Sequence, residues 1–578
     1  MKKNDSVARV ATVLTAAVLL SGFGSSPAQA AHNTATSSSD AGAIVVKESL
    51  ASGNDAFLYV PNSTSTGLRA AATPVLVVLS DKSVDATSAK QLAETSGMAD
   101  IAKREQGVVA FLNPEQTNWS STDAEALPAL IDRYGDSSGQ PYTQEGKRCA
   151  QDWTGQEKCL YPGARSRIYL FADGRGADFV STNVVSGISI PTSSLDSSGN
   201  PIVQKWTPTA VWLSNTTERP AQPPTDVEIP AYLMNTSSAV SKDYESYNSV
   251  HGLFGTSERR AKPGGFQKDL VLDGYDRVVE HAISRWSNSN NVIENYTITD
   301  YAAAGIDVEH DFVDINGAPL EYFQYLPNTA DKTNMPLMLV FHGGGNHAEY
   351  QMFATGWPDI AKEHGFMVVS VNQHVERSAA DMVALLDHLE EKWPGIDKTR
   401  VYASGFSMGS EKTWNLSDLY PERFAGIAPM SGSFQPASNA LGLPVPTIYF
   451  AGLDSPLPEL PHQLCTFSGC GTRQPNNIDA RLRHLFTQNN VTNAYTFDEA
   501  ADPAWGVSPA TAFTVQDEMF ANVSVRVSEF PSTDGRVITA LGAVAGAGHE
   551  VINAEARIAW QFLSKYSRND DGSIRLQP

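Results

Sequence analysis

Short runs of consecutive apolar residues alternate along this chain with segments in which apolar residues recur at helical spacing. Examples of the first kind are "LMLVF" at 337–341, "FMVVSV" at 366–371 and "RVYAS" at 400–404. Near-continuous apolar runs are typical of parallel strands that are buried on both faces. The segment "AADMVALLDHLEEKW" at 379–393 predicts a helix that covers one face of a sheet. The pattern therefore predicts an α/β protein with mainly parallel, doubly wound sheets.

Five stretches of the first half match five stretches of the second half in the same order. The pairs are "NDAFLYVPN" with "LEYFQYLPN", "PVLVVLSDKS" with "PLMLVFHGGG", "ADIAKREQGVVAFLNP" with "PDIAKEHGFMVVSVNQ", "SRIYLFADGRGA" with "TRVYASGFSMGS", and "PTAVWLSN" with "PTIYFAGL". Any two α/β segments share an alternation of strands and helices, but five matches in one order indicate an internal repeat. The spacing between partners changes most between Lys103 and Ser166, which predicts an insertion there in the first copy.

The repeat and the length together predict the domain organisation. A chain of 578 residues is too long for one hydrophobic core. We predict a first α/β domain over residues 43–289, a polar linker over 290–305 and a second α/β domain over 306–578.

The N-terminus predicts an export signal over residues 1–30. Basic residues precede the apolar run "VATVLTAAVLL", and "AQA" at 28–30 has the small-x-small pattern of a cleavage site. The apolar run is too short to span a bilayer, and no later run is long and apolar enough. Residues 31–42, rich in Ser, Thr and Ala, are expected to form a disordered leader. We therefore expect a secreted protein that does not span a membrane.

The charge of the chain restricts its partners. The formal net charge is -22 and the pI is about 4.9. Nucleic acids and anionic membrane surfaces require clustered Lys and Arg, so neither is an expected partner.

Four cysteines, Cys149, Cys159, Cys465 and Cys470, form two pairs that are close in sequence. In an exported protein an even number of cysteines predicts disulfides, and local pairing, Cys149–Cys159 and Cys465–Cys470, is the simplest of the three possible connectivities. The spacing of Cys and His does not match a zinc site, so no metal is expected.

Candidate chemistry begins at Gly405-Phe406-Ser407-Met408-Gly409, which follows a predicted strand and precedes a predicted helix. A nucleophilic serine on a sharp strand-to-helix turn needs this context. The turn crowds the serine backbone, so small residues are required at Gly405 and Gly409. The helix N-terminus can then stabilise developing negative charge. The alternative is a serine in an ordinary turn, and we take Ser407 as the candidate nucleophile.

Acyl transfer also needs hydrogen-bond donors for the oxyanion. The segment "FHGGGNH" at 341–347 directly follows the strand "PLMLV", and its glycines leave backbone N–H groups accessible. We expect one donor from Gly343 or Gly344 and the other from the N–H of Met408. The alternative is a flexible glycine turn. His342 is expected to be structural, because it precedes this loop.

A histidine that takes the serine proton should come late in the chain. His549 in "VAGAGHEVINAEARIAW" follows a strand-like run and precedes a final helix, so it is the candidate base, with His462 as the alternative. The acid should follow the next strand, and "PTIYFAGLDSPLPE" places Asp454 at the end of such a strand. Asp454 is the expected acid; Glu459 and Asp479 are the alternatives.

Several of these motifs carry a family resemblance. The HGGGN loop, "GFSMGS", "LYPERFAGIAPMSGS", "AGLD" and "GAGHE" resemble the α/β-hydrolase esterases of the polyhydroxybutyrate depolymerase and feruloyl esterase group. The similarity covers roughly residues 320 to 565. It implies a Ser407–Asp454–His549 triad that hydrolyses esters without a metal, and no cofactor is expected. The expected substrates are hydroxycinnamoyl or acetyl esters of plant glycans, or hydroxyalkanoate esters, as small molecules or oligomers. It also implies that both copies are α/β-hydrolase-like, and the sequence leaves the acyl group and the oligomeric state open.

The first copy lacks each of these chemical groups. Aligned at Tyr169 and Tyr402, Gly174 stands where the second copy has Ser407. The segment "SDKSV" replaces the HGGGN loop, Asn215 or Thr216 falls near the position of Asp454, and no segment before Ser289 resembles "GAGHE". We therefore expect the first domain to be degenerate and catalytically inactive.

Two other functions fit parts of the pattern. A serine peptidase of the α/β-hydrolase type has the same triad. A non-catalytic binding protein could keep a fossil site, as the first copy does. Turnover that depends on Ser407 separates an enzyme from a binding protein, and peptide amide substrates separate a peptidase from an esterase.

Overall fold

The computed structural model describes residues 43–61, 73–105, 107–131, 148–151, 157–160, 167–195, 201–224, 227–249, 252–257, 265–284, 295–297, 306, 308–344, 348–432, 436, 441–466, 469–517 and 523–577. Residues 1–42 lie outside this part of the chain, so the export signal and the leader stay predictions. None of the described helices is long and apolar enough to cross a membrane.

The first half contains a large sheet and several hairpins. Its strands are β1 (Ile44–Ser49), β2 (Asp55–Val60), β3 (Val75–Leu79), β4 (Val108–Leu112), β5 (Arg148–Gln151), β6 (Glu157–Leu160), β7 (Ile168–Asp173), β8 (Ile188–Leu195), β9 (Pro201–Trp206), β10 (Ala210–Ser214), β11 (Ala231–Met234), β12 (Phe254–Thr256), β13 (Ala282–Ser284) and β14 (Asn295–Thr297). Its helices are α1 (Ala86–Ser96), α2 (Met98–Arg104), α3 (Ala126–Ile131), α4 (Arg175–Phe179), α5 (Ser238–Ser246) and α6 (Lys268–Arg277). Strand β14 lies inside the predicted linker and pairs with β13.

The second half has the same kind of architecture with a larger sheet. Its strands are β15 (Val308–Ile315), β16 (Ala318–Tyr325), β17 (Met335–Phe341), β18 (Met367–Val371), β19 (Ile396–Phe406), β20 (Gly426–Met430), β21 (Thr447–Gly452), β22 (Cys465–Thr466), β23 (Gly469–Cys470), β24 (Thr511–Gln516), β25 (Ser524–Phe530), β26 (Thr539–Ala545), β27 (Tyr566–Arg568) and β28 (Ile574–Leu576). Its helices are α7 (Ala348–Thr355), α8 (Trp357–His364), α9 (Ala379–Lys392), α10 (Met408–Leu419), α11 (Asn477–Gln488) and α12 (Asn553–Leu563).

The two large sheets share one strand order. The eight-stranded sheet runs β1-β2-β4-β3-β7-β10-β11-β12, and the ten-stranded sheet runs β15-β16-β18-β17-β19-β20-β21-β26-β25-β24. Each begins with an antiparallel pair and continues through parallel strands. The second sheet adds the antiparallel strands β25 and β24 at its far edge. The α/β prediction and the repeat are confirmed by this shared order.

The fifth match of the repeat was assigned to the wrong strand. The sequence paired β10 with β21, but β10 lies directly beside β7, as β20 lies beside β19. The counterpart of β21 is therefore β11. Buried parallel strands are similar apolar runs, and only their neighbours in the sheet distinguish them. Met234 at the end of β11 stands where β21 has Phe450, so the position that corresponds to Asp454 falls after β11 rather than at Asn215 or Thr216.

Apolar side chains pack on both faces of each sheet. In β3, Val75, Val77 and Leu79 belong to one core cluster, whereas Leu76 and Val78 belong to another. The side chains of β17 alternate between two core clusters in the same way, with Met338 and Val340 in one of them. Successive side chains of a strand point to opposite faces, so a continuous apolar run is buried on both. The helix predicted at 379–393 forms as α9, and Ser378 caps it in a capping box with Asp381.

Two hairpins bring the cysteine positions together. Hairpin β5–β6 lies within the predicted insertion and places Cys149 opposite Cys159. Hairpin β22–β23 places Cys465 opposite Cys470. The side chains of these four residues lie outside the described part of the structure, so both disulfides stay predictions.

Candidate active site

The turn between β19 and α10 holds Ser407 in a strained conformation. Its φ is 53° and its ψ is -113°, a region that residues other than glycine rarely adopt. A Cβ on Gly405 would lie 2.3 Å from the carbonyl oxygen of Gly409, and a Cβ on Gly409 would lie 2.2 Å from that of Phe341. The two flanking glycines are therefore required by close backbone contact. The geometry is that of a nucleophile elbow.

His549 lies within hydrogen-bonding distance of Ser407. Its Nε2 is 2.8 Å from the Ser407 Oγ. His549 follows β26, and its imidazole lies against the ring of Phe406, with 4.8 Å between the ring centroids. With the proton on Nδ1, the unprotonated Nε2 accepts the hydrogen bond from the serine hydroxyl. The structure thus brings together the nucleophile and base that the sequence predicted.

Glu459 supplies the carboxylate of this arrangement. Its Oε1 accepts a hydrogen bond from the Nδ1 of His549. The Oγ of Ser455 donates to the same oxygen at 2.7 Å, and the N–H of Gly452 donates to Oε2 at 3.3 Å. The Glu459 side chain is almost fully buried. These hydrogen bonds hold the carboxylate against the imidazole.

The described hydrogen bond at the Nδ1 of His549 goes to Glu459, the alternative acid, and the role of Asp454 stays a prediction. Asp454 follows the end of β21, and its N–H donates to the carbonyl of Ala547 at 3.0 Å, which ties the acid loop to the histidine loop. Asp454 is among the residues that line a neighbouring cavity of about 580 Å³. The loop continues beyond the strand end and folds back, so a later carboxylate reaches the imidazole. Glu459 was an alternative in the sequence, but spacing favoured the residue nearest the strand.

The remaining histidine and acid candidates lie in other interactions. His462 Nε2 is 3.0 Å from the Oδ1 of Asp479, and its ring stacks on Phe497. His364, His388 and His484 lie on α8, α9 and α11. These residues are therefore not part of the arrangement around Ser407.

The predicted oxyanion loop lies against the elbow. A Cβ on Gly343 would lie 2.5 Å from the Phe406 ring and 3.4 Å from the Cβ of Ser407. A Cβ on Gly344 would lie 2.8 Å from the Sδ of Met408. Only glycine allows the backbone to approach this closely. The structure therefore brings Gly343, Gly344 and Met408 together around Ser407; residues 345–347 of the same segment lie outside the described part.

Two buried histidines hydrogen-bond to backbone carbonyls at the start of this loop. His342 Nδ1 donates to the carbonyl of Gly343 at 2.7 Å, and His374 Nε2 donates to the carbonyl of His342 at 2.8 Å. Burial lowers the pKa of His342 to about 4, and the hydrogen bond to Gly343 offsets only part of this effect. Burial, followed by the charge of His342, lowers the pKa of His374 well below its usual value. Sequence reasoning missed His374, because only the fold brings it beneath the loop.

The first half repeats the elbow without its hydroxyl. Gly174 has a φ of 55° and a ψ of -122°, close to the values of Ser407. Its N–H donates to the carbonyl of Ser214 at 3.0 Å, as the N–H of Ser407 donates to that of Met430 at 2.9 Å. A Cβ on Gly176 would lie 2.2 Å from the carbonyl oxygen of Leu79, the same close approach that Gly409 makes. The backbone of the turn is retained where the nucleophile is absent.

The chain resembles several curated esterases. It is 29% identical over 152 residues to the bifunctional acetylxylan esterase/xylanase XynS20E of Neocallimastix patriciarum, covering 25% of this chain and 22% of that protein. It is 28% identical over 180 residues to feruloyl esterase B of Thermothelomyces thermophilus, covering 28% and 57%. It is 28% identical over 137 residues to poly(3-hydroxyalkanoate) depolymerase C of Paucimonas lemoignei, covering 20% and 32%. These relatives are carboxylic ester hydrolases. The resemblance predicted from the motifs is confirmed.

The match to these relatives is partial. The chain spans between about a fifth and three fifths of their lengths. No family model matches the chain. Among solved structures, an acetyl xylan esterase from Aspergillus awamori has a TM-score of 0.31 at 12% identity, covering 45% of this chain and 99% of that one.

Proposed function

We propose that this protein is a secreted serine esterase that hydrolyses carboxylic esters through an acyl-enzyme on Ser407. The observation that carries the proposal is the Ser407–His549–Glu459 hydrogen-bonded series, in which the serine hydroxyl lies 2.8 Å from an imidazole whose other nitrogen contacts a buried carboxylate. Nucleophile, base and orienting acid in this order are the groups that acyl transfer requires. The esterase relatives support the same class of reaction.

The proposed reaction has two halves. The Ser407 Oγ attacks the ester carbonyl carbon while its proton passes to the Nε2 of His549. The imidazolium then gives that proton to the departing alkoxide, which leaves as an alcohol. Water attacks the acyl-enzyme with His549 again as base, and the acid is released from Ser407. Glu459 keeps the Nδ1 proton in place and stabilises the imidazolium throughout.

The tetrahedral intermediates need stabilisation of their oxyanion. We propose that the N–H of Met408 and an N–H of Gly343 or Gly344 supply it. Met408 is the first residue of α10, where the helix dipole favours negative charge. The contact of both glycines with the elbow supports this role, because donors must lie close to the serine to reach the oxyanion.

The substrate class follows from the relatives rather than from the triad. Their names point to acetyl esters of xylan, feruloyl esters and hydroxyalkanoate polyesters. We propose a small-molecule or oligomeric ester from these classes. The first half, with Gly174 in place of a serine, is proposed to be catalytically inactive.

Ser407→Ala tests the proposal against a panel of short p-nitrophenyl esters, methyl ferulate, hydroxybutyrate oligomers and a peptide p-nitroanilide. Wild-type turnover of an ester class that Ser407→Ala abolishes is the expected result. Ser404→Ala is the matched control, because Ser404 is a buried serine of β19, the strand that leads to Ser407, and its Oγ donates to the Ala428 carbonyl. Serine-dependent cleavage of the anilide alone would favour a peptidase, and no turnover by folded protein would favour a binding function.

A further inference from the structure

An ion pair joins the serine-less first half to the second half at the first turn of α7. Arg167 directly precedes β7, and Glu349 is the second residue of α7. The Nη2 of Arg167 lies 2.5 Å from the Oε2 of Glu349. Among ion pairs whose two partners are both described, this is the one that joins the two halves.

The pair is largely shielded from solvent. The Arg167 side chain is 12% exposed and that of Glu349 is 13% exposed. Burial by itself is the largest effect and lowers the pKa of Arg167, but the surrounding negative groups, Glu349 first among them, together raise it above its usual value. Glu105 of the first half adds to the negative charge around the guanidinium. A charge in such a position is costly when it loses its partner, so the pair fixes the position of both side chains.

Glu349 lies where the oxyanion loop ends. Gly343 and Gly344 follow β17, and α7 begins at Ala348. The N–H of Ala348 donates to the Oδ1 of Asn372 at 2.9 Å, so the second half itself holds the first residue of α7. The next residue, Glu349, is held by the first half. The start of α7 is therefore fixed from two sides.

Small movements of this helix would change the oxyanion site. The backbone at Gly344 lies so close to Met408 that an added Cβ would come within 2.8 Å of its sulfur. Misplacement of catalytic donors by about 1 Å can cost about 100-fold in rate. The strand end at Phe341 is fixed within the sheet by pairing with both neighbours. The other end of the loop leads in the chain to α7 through residues 345–347, which lie outside the described part.

We propose that Arg167 is a positioning residue for the oxyanion loop. In this role, which we call a brace, the degenerate first half holds the start of α7 in place. The inference rests on the proposed esterase function. It gives the serine-less copy a role that needs neither catalysis nor a ligand of its own.

The experiment compares Arg167→Met, Glu349→Met, the double variant and Arg167→Lys in the full-length protein. The readouts are kcat and KM on the best ester, the rate of Ser407 labelling by a fluorophosphonate, and thermal unfolding. Each Met variant is expected to lower kcat and the labelling rate about 10-fold with KM changed less than about 3-fold, because oxyanion donors act in the transition state. Arg167→Lys keeps a charge for Glu349 and is expected to retain most of kcat.

The double variant separates positioning from simple loss of charge. It leaves no buried unpaired charge, so its stability should exceed that of either single variant. Its kcat should stay below that of wild type, because the link between the halves is gone. Arg557→Met is the matched control: its pair with Glu363 is 2.8 Å long but is 37% and 53% exposed and joins α12 to α8 within the second half.

Folded Arg167→Met and Glu349→Met proteins with wild-type kcat and labelling rate would overturn the brace, as would a double variant with full wild-type kcat. Failure of the esterase proposal is distinguishable, because the wild-type protein would then turn over no ester of the panel. That result would remove the brace together with the function on which it rests.

Discussion

The Nδ1 of His549 hydrogen-bonds to the Oε1 of Glu459, a carboxylate that lies beyond Asp454 on the same loop. Asp454, just after the end of β21, donates its N–H to the carbonyl of Ala547, near His549 in the chain. The chain then folds back and places Glu459 against the imidazole. Glu459 is therefore the residue whose charge the proposed reaction uses.

Substitutions of Glu459 and of Asp454 are expected to have different effects on kcat. Glu459→Gln should lower kcat by about 10³- to 10⁴-fold, because the imidazole loses the partner that fixes its tautomer. Asp454→Asn should lower kcat by less than about 10-fold, because the described hydrogen bond to His549 Nδ1 comes from Glu459. Steady-state hydrolysis of a p-nitrophenyl ester measures both. The opposite ranking would restore Asp454 as the acid.

Ser455 is expected to support kcat through its hydrogen bond to Glu459. Its Oγ donates to the Glu459 oxygen that faces His549. A hydrogen bond to a charged group contributes about 1.5–3 kcal/mol, so Ser455→Ala is expected to lower kcat about 10-fold. KM should change little, because Ser455 is proposed to act through Glu459. Ser455→Thr keeps the hydroxyl and serves as the control; if it loses as much activity as Ser455→Ala, packing rather than the hydrogen bond is responsible.

The glycines of the oxyanion loop should tolerate no side chain. Gly343→Ala places a Cβ 2.5 Å from the Phe406 ring, so the loop must move away from Ser407. Loss of one oxyanion donor costs about 100-fold in kcat or more, and that is the expected effect. Gly471→Ala is the control, because no atom lies within 4 Å of a Cβ there. Equal activity of the two variants in a kinetic assay would exclude Gly343 from the oxyanion site.

A fluorophosphonate is expected to label one residue per chain. Mass spectrometry is expected to find the label on Ser407 and on no residue of the first half. Gly174→Ser should add no second label, since a Cβ at that position would lie 3.2 Å from the Oδ1 of Asp81 rather than beside an imidazole. A label on the first half of the wild-type protein would show that this half is active.

Acid should destabilise the fold through the buried His342. Its pKa of about 4 in the folded state lies below its usual value of 6.5. Between these values the unfolded chain binds the proton and the folded protein does not, so stability present above pH 6.5 is lost as pH falls towards 4. The loss from this group is about 1.4 kcal/mol per pH unit within that window. Urea unfolding at pH 7 and pH 5 should show a smaller difference for His342→Gln than for wild type; an unchanged difference would contradict the prediction.

The sequence by itself determined the strands, the elbow, the oxyanion glycines and the pairing of Ser407 with His549. These features depend on local physical chemistry: apolar runs bury, and a sharp turn between strand and helix requires small neighbours at Gly405 and Gly409. The sequence also predicts the first four matches of the repeat, because each of them joins an apolar run to a distinctive loop.

Only the tertiary structure decided which acid reaches His549 and which strand of the first half corresponds to β21. Several carboxylates follow the same strand, and the path of the loop selects among them. Buried strands have interchangeable apolar sequences, so their identity depends on their neighbours in the sheet. The contacts of His374 with His342 and of Arg167 with Glu349 join residues far apart in the chain. No local pattern encodes such contacts, because they form when separate elements pack together.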